Sequence, residues 1–154
     1  MNFKNIIISF MLIIPLNLFS GNAQTNLKTC EIFMFNKTQE KITITVEIAE
    51  TRKQMAIGLM YRDFMEKDHG MIFIYNDEKY RNFWMKNTRI PLSIAYIDHS
   101  GIIVDIQKMK PLDTSVTYIS KYPAKYCLEM NQGWFEKNKI EIGTKLYLDG
   151  CISK

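Results

Sequence analysis

Lys86, Asn87, Thr88 and Arg89 stand together between two apolar runs, Phe83-Trp84-Met85 on one side and Ile90-Pro91-Leu92 on the other. A cationic turn with two hydrogen-bonding side chains, held by rigid flanking strands, can grip an anionic or hydroxylated group. The same residues have a purely structural use, because Asn and Thr side chains bond the backbone of turns. Other chemistries find less support. Ten methionines could hold Cu(I) through their thioethers, yet Met55, Met60, Met71 and Met130 lie in apolar runs and read as core fillers. His69 and His99 are the only histidines and no ligand spacing joins them, so the sequence calls for neither a metal nor any other cofactor. There is no Gly-x-Ser-x-Gly elbow, and Cys127 lies in a strand without an evident histidine partner, which argues against a covalent nucleophile. Asp98, Asp105 and Glu129 are carboxylates that a glycosidase could use. Trp84 and Trp134 could stack on a sugar, although tryptophan serves packing more often.

The elements that would position these residues alternate in a β rhythm. In residues 42–48, Ile42, Ile44, Val46 and Ile48 share one face of a half-buried strand. Thr51 with Gln54 three residues on makes a capping box for a helix carrying Met55, Leu59 and Met60, and Gly58 marks close packing or an early stop. Residues 71–75 form an apolar strand, 76–79 a turn, and 82–86 and 92–98 two further strands joined through Pro91. Residues 98–101 read as a hairpin turn, and 102–109 as a strand with Ile102, Val104 and Ile106 on one face and Asp105 and Gln107 on the other. A long polar loop covers 110–121 and a strand covers 124–130. Asn131 is placed to cap a short helix with Trp134 and Phe135, and a last strand runs over 145–151. The pattern predicts a mainly β single domain, an antiparallel sandwich or partly open barrel with two short helices. A parallel α/β sheet is the weaker reading, since two helices provide too few crossovers.

Composition and the termini set the compartment. The chain has 154 residues, 47% hydrophobic and 23% charged, which fits one globular domain. The net charge of +4 sits in no long basic run, which argues against nucleic-acid binding. Lys4, a mostly apolar stretch over residues 6–19 and the small residues Gly21 and Ala23 have the plan of an export signal over residues 1–23. Residues 24–29 follow as a short linker, and the domain occupies 30–154. The apolar stretch is shorter than the roughly 20 residues of a membrane span, and an uncleaved anchor, the sole membrane contact expected, is the alternative. Lys28, two residues before Cys30, argues against a lipoprotein signal. The expected location is periplasmic or cell-envelope associated. In an oxidising compartment Cys30 and Cys151 are the expected disulfide, because both end terminal strands and termini of one-domain folds lie close. Cys127, mid-strand, is the expected buried thiol.

Gly58-Leu59-Met60-Tyr61-Arg62, Gly70-Met71-Ile72-Phe73, Phe83-Trp84-Met85-Lys86-Asn87-Thr88, Ile90-Pro91-Leu92, Ala95-Tyr96-Ile97-Asp98 and Leu128-Glu129 occur in one order. Together they resemble the family called domain of unknown function 192, over residues 42–149. The resemblance implies a small, mostly β domain, often exported, and no established activity. Ser93 stands where relatives commonly carry Asp, and residues 111–118 lack the cysteines that relatives often have there. Arg62, Trp84, Lys86, Asn87, Thr88 and Glu129 fall inside the shared motifs. One reading gathers them around a pocket for an unidentified small-molecule or envelope ligand, anionic or sugar-containing. The structural reading pairs Arg62 with Glu129 and uses Asn87 and Thr88 as turn formers. Three functions stay open: a non-enzymatic binding domain, an envelope enzyme with Glu129 as general acid or base, and an accessory domain that contacts another protein.

Overall fold

A computed structural model describes residues 23–149 and residue 151. The expected export signal lies outside the described residues except for Ala23. The strands and helices, in chain order, are β1 (Thr29–Phe35), β2 (Lys41–Ala49), α1 (Arg52–Ile57), β3 (His69–Lys79), β4 (Asn82–Phe83), β5 (Leu92–Ile97), β6 (Ile103–Met109), β7 (Tyr118–Ile119), β8 (Ala124–Asn131), α2 (Trp134–Lys137) and β9 (Leu146–Tyr147). Seven strands form one curled half-barrel sheet in the order β6-β5-β8-β3-β2-β1-β9, and β4 and β7 make a separate two-stranded ribbon. The mainly β architecture with two short helices agrees with the alternation in the sequence. All sheet pairings are antiparallel except β2 with β3, which run parallel from Thr45↔His69 to Ala49↔Phe73. A parallel pair needs a crossover, and α1 with the loop after it supplies one.

Local chemistry sets the ends of α1. Thr51 Oγ1 accepts the Gln54 amide at 3.2 Å, and Gln54 Oε1 accepts the Thr51 amide at 2.9 Å, closing the capping box. Gly58 stops the helix at φ +51° and ψ −131°, a conformation that side chains other than glycine strain to adopt.

The sheet is buried on both faces. On one face Ile32, Met34, Ile44, Val46, Leu128 and Met130 pack against Trp134 and Phe135 of α2. On the other, Met71, Phe73, Ile94, Tyr96 and Cys127 pack against Leu59, Met85 and Ile90. Each such side chain taken from water contributes about 1.5–3 kcal/mol before entropy is counted. β5, sandwiched between the two clusters, is buried at all six positions. Cys30 and Cys151 are joined as a disulfide with Cα atoms 5.6 Å apart, and Cys127 is a buried free cysteine. Among the described residues no helix is long and apolar enough to cross a membrane.

Several local expectations need correction. Residues 76–79 are not a turn: β3 runs on to Lys79, with a register shift between Ile74 and Lys79 that absorbs the polar residues. The strand expected over 82–86 shrinks to Asn82–Phe83, because Met85 and Thr88 close a turn instead. Asp105 and Gln107 share a face as expected, and Asp105 is fully buried there under the 118–121 segment, where Lys121 approaches one oxygen at 3.4 Å and Gln107 donates to the other at 2.6 Å. Asn131 does not cap α2. It ends β8 and donates to the carbonyls of Met65 and Glu66, and Gly133 in the left-handed region opens the helix. The last strand is only Leu146–Tyr147.

Candidate functional site: a recess above Glu129

Side-chain alternation along β8 puts Cys127 and Glu129 on the sheet face under α1. Glu129 lies level with Met71 of β3 and Ile94 of β5. Gly70 lets the two strands close in there. A Cβ at this position would stand 2.6 Å from the Glu129 carbonyl oxygen, a distance a real side chain does not tolerate. The outcome is a carboxyl group in an apolar place: Glu129 is 4% exposed. No hydrogen bond from the described residues reaches its carboxyl, and burial alone pushes its pKa up to about 8, from an ordinary value of 4.5. Near neutral pH the group is mostly a neutral acid, able to donate one hydrogen bond and accept others.

Above Glu129 a recess of about 30 Å³ is walled by the end of α1 (Met55 to Met60), Phe73, Phe83, Trp84 and Thr88. That volume holds one or two water-sized groups. Phe83 is fixed edge-on to Phe73, with ring centroids 4.9 Å apart, and to Tyr96, at 6.1 Å. Trp84 stands at the mouth, 48% exposed, with Lys86 Nζ 5.1 Å from its ring centroid. Thr88 Oγ1 donates to the Lys86 carbonyl at 3.2 Å, which leaves its lone pairs for an incoming donor.

The structure therefore brings Trp84, Thr88 and Glu129 to one recess, with Lys86 beside it. Asn87 and Arg62 serve elsewhere. Asn87 takes φ +55°, which asparagine tolerates well. Its Nδ2 donates to the Tyr61 hydroxyl at 2.8 Å, and its carbonyl accepts the Tyr61 amide at 2.8 Å. Arg62 does not pair with Glu129. Its Nη1 meets Glu47 Oε2 at 2.6 Å and its Nη2 donates to the Gln24 carbonyl at 3.1 Å. Glu47 lies on the opposite strand phase from Val46 and reaches Arg62 across the loop after α1, a partnership no local spacing reveals. Gln24 completes that corner, its Nε2 donating to the carbonyls of Gln54 at 3.1 Å and Gly58 at 2.7 Å. Ser93 faces the α2 side, where its hydroxyl accepts the Gly133 amide at 3.3 Å.

The recess-lining residues that sequence reasoning missed are Met55, Gly58, Phe73 and Phe83. Gly58, Phe73 and Phe83 carry only the signal of membership in the shared motifs, where apolar residues read as core, and Met55, outside those motifs, reads as a core filler of the helix. Among the described residues no three His, Cys, Asp or Glu side chains converge as ligands for a metal ion would.

A family model described as "Uncharacterized ACR" (DUF192) matches residues 34–148. A UPF0127 protein of Pyrococcus furiosus is 28% identical over 116 residues, covering 73% of this chain and 95% of the relative. Two solved structures share the fold. A candidate transcription regulator from Sinorhizobium meliloti superposes with a TM-score of 0.76 at 30% identity, over 80% of this chain and 95% of its own. A protein of unknown function from Novosphingobium aromaticivorans gives 0.74 at 28% identity, over 78% and 85%. The motifs around Glu129, Trp84 and Gly70 thus sit in a recognised domain, and this chain belongs to the uncharacterised DUF192 family.

Proposed function

We propose that this chain is an exported binding domain of the cell envelope that takes a sugar-containing ligand at the Trp84–Glu129 recess. One observation carries the reading: the carboxyl of a largely buried glutamate, with no hydrogen bond from the described residues, opens on a small recess beneath a half-exposed indole. A ligand group that bonds Glu129 gains the strength that a hydrogen bond has in an apolar recess, so the recess suits a polar partner. Because the recess is water-sized, a sugar ring stays outside against Trp84 and only a substituent enters. Lys86 at the rim is free to meet a phosphate or carboxylate on the same ligand.

A second reading makes Glu129 the general acid of an envelope enzyme, and its elevated pKa favours that role. Glycoside hydrolysis needs a second carboxyl across the scissile bond. Among the described residues none other lines the recess, so binding is the better-supported function. Regulation of transcription, the role suggested for the Sinorhizobium relative, would need a basic surface that the dispersed net charge of +4 does not provide.

Calorimetric titration with oligomers of glucose, glucosamine and glucuronic acid tests the proposal. At least one should bind, and Trp84→Ala should weaken it tenfold or more. Absence of binding by all three, or binding indifferent to Trp84, contradicts it.

A further inference from the structure

We infer that the group entering the recess is a protonated primary amine, which makes the ligand a glycan bearing free amino sugars, its ring on Trp84 and its ammonium on Glu129. The inference rests on the reading above and narrows it. The side chains supply its first ground. Among the lining residues Glu129 and Thr88 carry the side-chain oxygens, the Trp84 indole N–H at the mouth is the other polar side-chain group, and the Thr88 hydrogen is already committed to the Lys86 carbonyl. Glu129 and Thr88 present acceptors to a guest once Glu129 gives up its proton, while no lysine, arginine or histidine lines the space. An ammonium has three donors and no acceptor, the complement of such a site.

The walls supply a second ground. Phe73, Phe83 and Trp84 surround the recess, and aromatic faces attract a desolvated cation. Size supplies a third. About 30 Å³ admits an ammonium but not an acetamido group, so the site should separate a free amine from its acetylated form.

Binding follows a defined proton balance. Below pH 8 the Glu129 carboxyl holds a proton, and an arriving ammonium favours the carboxylate. That proton leaves to solvent as the complex forms, one per ligand, and no other bond is made or broken. Between pH 5.5 and 6.5 the affinity should therefore rise about tenfold, following the ionised fraction of Glu129. The other titratable groups facing it are Tyr75 from β3, Tyr96 from β5 and Cys127 on its own strand, all shifted upward by burial and silent in this range. Lys86 stands at the rim beside Trp84, and the end of α1 presents no ionisable side chain to the recess.

The test is calorimetric titration of the full disulfide-bonded protein with a glucosamine oligomer and with its fully N-acetylated counterpart, each in two buffers of different ionisation enthalpy. The free-amine oligomer should bind at least thirtyfold more tightly, release about one proton per site at pH 6, and lose both features in Glu129→Gln. If Glu129→Gln does not fold, proton release by the unaltered protein still decides. Equal, Trp84-dependent binding of both oligomers without proton release would overturn the amine assignment and leave the recess as a sugar site. Failure of both oligomers to bind, or binding unaffected by Trp84→Ala, would overturn the site as well.

Discussion

Among individual residues, Glu129 has the largest expected consequence for the protein. Its folded-state pKa of about 8 lies above the ordinary 4.5, so the folded chain holds a proton that the unfolded chain releases. Stability is then full below pH 4.5, falls as the pH rises, and levels off above about 8, with a slope approaching 1.4 kcal/mol per pH unit at its steepest. Thermal melts from pH 5 to 8.5 should show this decline, and Glu129→Gln, neutral at every pH, should flatten it; an unchanged decline in the variant would place its source elsewhere. Arg62 and Lys86 should separate in the same assay. Arg62→Ala removes a largely buried ion pair with Glu47 and the bond to Gln24, and should cost about 1–3 kcal/mol. Lys86→Ala touches only an exposed contact with Trp84 and should stay within about 0.5 kcal/mol. The sequence named Trp84, Thr88 and Glu129 but joined Arg62 to the wrong carboxylate. Residue type marks a side chain as capable of pairing. The partner is chosen by the path of the chain, and Glu47 and Glu129 look alike until β2 and β8 are placed.

At the level of the elements, the recess depends on where α1 stops. Gly58 ends the helix in a glycine-favouring conformation, and its position lies 3.5 Å from the Phe73 ring when a Cβ is added. Space is therefore adequate and the backbone is the obstacle. Gly58→Ala should cost about 1–3 kcal/mol, measured by denaturant unfolding, and should weaken ligand binding by moving the wall formed by residues 55–60. Stability equal to the unaltered protein would mean that this turn relaxes freely. The capping box at Thr51 and Gln54 was legible because its chemistry is local. Asn131 misled for the opposite reason: its side chain is a good cap, but in the fold it is drawn to the carbonyls of Met65 and Glu66, more than sixty residues away. The turn expected at residues 76–79 failed similarly. Polar residues there lie on a strand extension that a register shift accommodates, and composition alone does not distinguish the two.

Across the whole molecule, alternation told the fold class but not that both faces of the sheet are covered. Alternating strands suggest one wet face. Here the 83–90 segment and α1 cover the second, so Glu129, on the apparently polar phase of β8, ends up inside. The parallel pairing of β2 with β3 was likewise hidden, since strand pairing is a property of the assembled sheet. The Cys30–Cys151 bond ties β1 to the end of the chain across 121 residues, and the chain-entropy model gives such a closure about 4 to 5 kcal/mol. Reduction should lower the melting temperature markedly while Cys127, buried, resists alkylation in the native state; rapid native-state labelling of Cys127 would contradict the packing described. Ligand binding and the pH dependence of stability both turn on the state of one carboxyl, that of Glu129. A carbon-13 NMR titration of the Glu129 side chain in the full protein measures it directly. A midpoint near 8 that falls when an amino-sugar oligomer saturates the recess is the expected result, and a midpoint near 4.5, indifferent to that ligand, would contradict the claim that Glu129 is the buried acid at the floor of a binding site.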